Sequence, residues 1–130
     1  MATKVTNTKV ITPFSYYEMK LTAATNTVDG GDEEFEITPT AADTGALLVV
    51  ANPTANTSAL TVSFMPGDFW YSDKQSAKTA TVAAGKTAVF KLESGFVKSD
   101  SGKITVKLTP VSSGANLATI AAAVGYIEKA

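Results

Sequence analysis

The chain has 130 residues, 45% hydrophobic and 18% charged, with twelve acids against eleven lysines and neither cysteine, histidine nor arginine. This composition fits one domain with a real core and excludes a disordered chain. It also excludes disulfides, Ser-His and Cys-His catalysis, the commonest metal ligand and the bidentate guanidinium fork for phosphate, while a net charge of −1 gives no footprint for nucleic acid.

The expectation is therefore a chain that is not an enzyme and needs no cofactor or metal. Its charged fraction lies below the ~25% of an ordinary domain, with Thr, Ser and Ala in its place. A surface of short uncharged side chains costs little entropy to immobilise and suits lasting contact with another surface. The start, Met1-Ala2-Thr3-Lys4, has no apolar signal region, and no apolar run approaches the roughly 18 residues of a membrane span. Synthesis in a cytoplasm and no membrane partner are the expectations.

Residues 1–20 form an N-terminal arm or a first strand, and 21–130 a β-sandwich domain. Polar residues with Val5, Val10 and Ile11 lead to Pro13, and then Phe14-Ser15-Tyr16-Tyr17 crowds three aromatics into four positions. Aromatics are enriched in interface cores, so Phe14, Tyr16 and Tyr17 are candidate anchors on a neighbouring protein. On that view, removing residues 1–17 leaves a folded domain.

Asp29-Gly30-Gly31-Asp32 is a turn signal. Its acids, with Glu33 and Glu34, do not match an EF-hand and have no apolar pocket to make a glycosidase pair. The expectation is a solvated acidic loop. Phe35 and Ile37 alternate with Glu36 and Thr38. Ala46 to Ala51 is an apolar run of strand length, as for a strand covered on both faces. Leu60, Val62 and Phe64 alternate until Pro66-Gly67.

Phe69-Trp70-Tyr71 is the densest aromatic patch in the chain. It fits a stacking platform for sugars, an interface anchor, or a core plug at Trp70. Thr79 to Val82 is β-prone, Ala84-Gly85-Lys86 is a turn, and Ala88, Phe90 and Leu92 share a face. Ser99 to Gly102 is a second turn signal, after which Ile104, Val106 and Leu108 alternate with lysines and threonines as the clearest strand. Near the C-terminus a triple alanine favours helix, but Ile120, Ala122, Val124 and Tyr126 share a face at period two and predict a strand. The sum is all-β: a single antiparallel sandwich, Ig-like or jelly-roll-like, of about seven or eight strands.

Charge is uneven along the chain. Residues 1–45 carry seven acids against Lys4, Lys9 and Lys20, and residues 74–107 carry seven lysines against Glu93 and Asp100. Two readings stay open: two solvated faces of one domain, or complementary ends that pair copies head to tail.

From Leu47 to Ile127 the order of strands and turns resembles a known family. Leu48-Val49-Val50-Ala51-Asn52 leads to Leu60-Thr61-Val62-Ser63-Phe64 and Gly67-Asp68-Phe69-Trp70. The turn Val82 to Thr87, the strand Val89 to Glu93 and the segment Phe96 to Val106 follow. This is similar to the auxiliary head proteins of tailed bacteriophages, the decoration, cement or minor capsid proteins, over about two thirds of the chain. The resemblance implies a structural virion protein, made in the host cytoplasm, that docks on the major capsid protein at the capsid surface, self-associates and stabilises the shell. A carbohydrate-binding or adhesin-like sandwich using Phe69, Trp70 and Tyr71 is the alternative, as is another virion component such as a tail or fibre protein.

Overall fold

The computed structural model describes residues 2–40, 46–55, 57–67, 77–92 and 102–129. Ten strands occur among them: β1 (Thr3–Lys4), β2 (Asn7–Val10), β3 (Thr22–Ala23), β4 (Glu33–Ile37), β5 (Leu47–Asn52), β6 (Leu60–Phe64), β7 (Lys78–Val82), β8 (Lys86–Lys91), β9 (Ile104–Pro110) and β10 (Ala123–Lys129). None of the described residues is helical. One sheet has the order β1-β4-β9-β6-β7 and the other β2-β10-β5-β8, with β3 also on β10. The all-β sandwich is thus what forms, with more strands than expected because the first 23 residues supply three short ones.

The sheets are mixed, which departs from the antiparallel expectation. β1 runs parallel to β4 and β2 parallel to β10, while the other ladders are antiparallel. The cause is connectivity. Residues 3–10 pass from the edge of one sheet to the edge of the other without reversing, and a strand added that way at a sheet edge can run with its neighbour.

The core lies between the sheets and follows period two. Phe35 and Ile37 of β4, Leu60 and Val62 of β6, and Ile104, Val106 and Leu108 of β9 face Leu48 and Val50 of β5 and Val124 and Tyr126 of β10. Phe64 meets Phe90 edge to face across the layers, with ring centres 5.1 Å apart. β5 is buried on both faces: Leu48 and Val50 join the core, and Val49 and Ala51 are covered on the outside.

The C-terminal segment divides where the sequence signals competed. Ala122, Val124 and Tyr126 form the inward row, but Ile120, also fully buried, sits in a run of turns before β10. Ala121 closes those turns at φ 58°, with Ala122 N–H donating to the Leu117 carbonyl at 3.1 Å. The alanines make neither helix nor strand until residue 123.

Asn52 ends β5 fully buried and donates to the carbonyls of Ser58 at 2.8 Å and Val82 at 3.2 Å. It thereby ties the turn after β5 to the end of β7. Ser58 Oγ in turn accepts from Ser112 N–H at 3.0 Å. Both amide protons of Asn52 are directed at carbonyls, and its Oδ1 has no protein partner.

Candidate docking surface

Residues 11–21 join β2 to β3, and all eleven are exposed. Both flanking strands lie along the same side of β10, so the segment is a strap rooted at both ends. Its C-terminal root crosses the outer side of β10 at Gly125. A β-carbon there would stand 2.9 Å from Leu21 Cδ2 and 3.4 Å from the Lys20 carbonyl, so the missing side chain is what lets the strap lie close. Lys20 N–H donates to Thr8 Oγ1 at 3.2 Å and holds the root against β2.

The tip is a β-turn in which Ser15 N–H reaches the Thr12 carbonyl at 3.4 Å. Pro13 takes the first central position, where its fixed φ fits. Phe14 takes the second at φ 60°, a place usually given to glycine or asparagine. Tyr17 closes the strap from inside: its phenol oxygen accepts from Thr12 N–H at 2.9 Å and Ile11 N–H at 3.2 Å. Those donors, Thr12 foremost, hold the Tyr17 pKa below the ordinary tyrosine value.

The three candidate anchors near the N-terminus therefore divide. Phe14 is fully exposed and Tyr16 nearly so, the latter donating to Glu18 Oε1 at 3.1 Å, whereas Tyr17 shapes the loop. Ile11, Met19 and Leu21, all exposed, extend the apolar surface beyond the predicted residues. As between arm and first strand, residues 3–4 and 7–10 are strands of the two sheets, so a cut at residue 17 removes β1 and β2 with the anchors. Phe69, Trp70 and Tyr71 lie outside the described residues.

The acidic segment is only partly the solvated loop expected. Asp29 and Gly30 do form a tight turn, with Gly30 at φ 72° and Gly31 N–H on the Val28 carbonyl at 3.0 Å. Glu33, however, is buried. Its carboxylate accepts from Thr25 N–H and Asn26 N–H at 2.8 Å each and from Thr3 Oγ1 at 2.6 Å. Glu36 pairs with Lys4 and, at 3.3 Å, with Lys103, while Lys107 approaches Asp32 at 3.7 Å. Part of the charge asymmetry along the chain is therefore neutralised within one molecule, where β4 lies antiparallel to β9. The Lys4 hydrogen bond, with Lys103 behind it, holds the Glu36 carboxyl below its usual range.

Glu128 is a second buried carboxylate. It accepts from Asn7 Nδ2 and Thr40 Oγ1 at 2.9 Å each and from Thr40 N–H at 2.8 Å. Among the described residues no group of three or more acids, histidines or cysteines is placed to hold a metal. An open polar cleft of about 310 Å³ beside Glu33 is lined by Thr3, Thr25, Asn26, Asp32 and Glu34. No described helix is long and apolar enough to cross a membrane. No family model, curated protein or solved structure matches the chain.

Proposed function

We propose that this chain is a non-enzymatic structural virion protein that binds the outer surface of a bacteriophage capsid through the strap of residues 11–21 and stabilises the shell. The observation that carries the docking role is Phe14: a large apolar side chain, fully exposed, held at φ 60° on a turn built by Pro13 and Tyr17. An aromatic in the left-handed region costs its own fold on the order of 1–2 kcal/mol. An exposed aromatic in that conformation gains little inside its own chain and has value as an anchor for another surface.

The capsid as partner rests on the resemblance of residues 47–127 to auxiliary head proteins. The lack of His, Cys and Arg and the Thr-rich, charge-poor composition agree with it. A protein that binds only the assembled lattice shifts the equilibrium toward that lattice, so shell stabilisation follows from docking by mass action.

Cosedimentation with capsids assembled from the associated major capsid protein tests the proposal. Wild-type protein should pellet with the shells and raise their melting temperature. Phe14→Gly should bind about thirtyfold more weakly, the equivalent of one anchor of roughly 2 kcal/mol. Unchanged binding by Phe14→Gly would move the docking surface away from the strap. Selective binding on a glycan array, without capsid binding, would favour a carbohydrate-binding sandwich instead.

A further inference from the structure

Residues 3–10 are held in the way a bound peptide is held. β1 and β2 are outermost strands, two and four residues long, each on a parallel ladder to a strand of the body. Their side chains plug two buried carboxylates. Thr3 Oγ1 donates to Glu33, whose other oxygen is fixed by Thr25 N–H and Asn26 N–H. Asn7 Nδ2 donates to Glu128, which Thr40 holds through its N–H and its hydroxyl. Body residues therefore orient both sockets independently of the segment that fills them.

We propose that these sockets also accept residues 3–10 of a second copy, so that neighbouring chains exchange their first strands and self-associate. The strap is the hinge. Residues 11–18 of the exposed strap can span about 27 Å when extended, enough to hand the segment to an adjacent molecule. Closing the hinge within one chain requires φ 60° at Phe14, a strain that an opened hinge releases. Strain in a hinge loop favours such exchange, because every contact of the closed form outside the hinge is remade between copies. Tyr17 works in the opposite sense, since its phenol oxygen on Ile11 N–H and Thr12 N–H holds the hinge closed. The root at Leu21 and Gly125 stays on its own sheet, which places the moving part between residues 11 and 18. This inference does not depend on capsid docking.

Because the chain lacks cysteine, engineered thiols report the exchange directly. Thr8 and Ile127 are register partners between β2 and β10. A Thr8→Cys chain mixed with an Ile127→Cys chain should form an interchain disulfide whose yield rises with protein concentration. Tyr17→Phe added to both chains should increase the yield severalfold, and Phe14→Gly should lower it. No interchain product, with the double variant Thr8→Cys/Ile127→Cys closing only within one chain, would overturn the proposal. So would a Tyr17→Phe protein, free of engineered cysteines, that stays monomeric in sedimentation at every concentration.

Discussion

Leu21 rests on Gly125: a β-carbon on the glycine would come within 2.9 Å of the leucine Cδ2, closer than side chains tolerate. Gly125 is paired with Val49 of β5, so the contact helps to cover the outer face of that sheet as well as rooting the strap. The nearest atoms, Leu21 Cδ2 and Met19 Sδ, are ends of flexible side chains, whereas the Lys20 carbonyl behind them is backbone. Gly125→Ala should therefore cost no more than about 1 kcal/mol, and Gly125→Val, which cannot avoid the backbone, roughly 2–3 kcal/mol. Urea midpoints measure the cost, and faster proteolysis within residues 11–21 in the valine variant would show the strap lifting.

A second prediction concerns Glu128, whose carboxylate faces donors from Asn7 and Thr40. Glu128→Gln substitutes an amide that turns a donor toward donors. The expected loss is on the order of 2 kcal/mol, the range for a buried bond to a charged acceptor. Denaturant unfolding would show it. A loss under about 0.5 kcal/mol, as for an ordinary surface change, would mean that the carboxylate does not hold residues 7 and 40 together.

These two carboxylates show what was legible in the sequence and what was not. The inward rows of β4 and β10 are Glu33-Phe35-Ile37 and Val124-Tyr126-Glu128, so the period that places the apolar residues places both acids as well. Sequence patterning recovers β4 to β9 closely: Val106 is fully buried and Lys107 is not, as the alternation predicts. It does not show that Glu33 and Glu128 end buried, because Thr3, Asn7 and Thr40 reach them from far away in the chain and the nearer donors of Glu33 are backbone amides, of Thr25 and Asn26, which carry no sequence signal. The strands β1, β2 and β3 are too short for a periodic signal, and only their long-range ladders define them. The aromatic cluster at 14–17 was visible as an anomaly, but the division of labour among its members required the geometry of Tyr17.

A third prediction is electrostatic. Glu36 has its carboxyl pKa lowered in the fold, chiefly by the Lys4 hydrogen bond. A depressed carboxyl pKa contributes stability that is fully present above the unfolded value and is lost as pH falls through the folded value. Thermal midpoints of the wild-type protein should therefore decline on acidification below the usual carboxylate range. Lys4→Met should flatten that part of the profile by lowering the midpoint slightly at neutral pH, where the pair contributes, and not in acid, where it does not; the drop is small because Lys4 is 67% exposed. An identical acid limb in the two proteins would exclude Lys4 as the cause.

The last prediction sets two residues against each other. Phe14 and Ala121 are the only non-glycine residues with positive φ among those described, at 60° and 58°, and both are exposed. Glycine at either site removes the clash of Cβ with its own backbone but adds freedom to the unfolded chain. The net expectation is no change or a gain of up to about 1 kcal/mol. On stability the two substitutions should thus behave alike, since neither residue is part of the core. They should part on docking. Ala121 closes the turns that position Ala122 and β10, on a part of the chain that the strap does not touch through any contact described above. Ala121→Gly should bind capsids as the wild type does, whereas Phe14→Gly should lose most of its affinity. Parallel urea melts and cosedimentation of the two variants provide the comparison. If Phe14→Gly instead melted well below Ala121→Gly, the phenylalanine would be a structural residue of the strap, and its left-handed conformation would need an explanation within the fold.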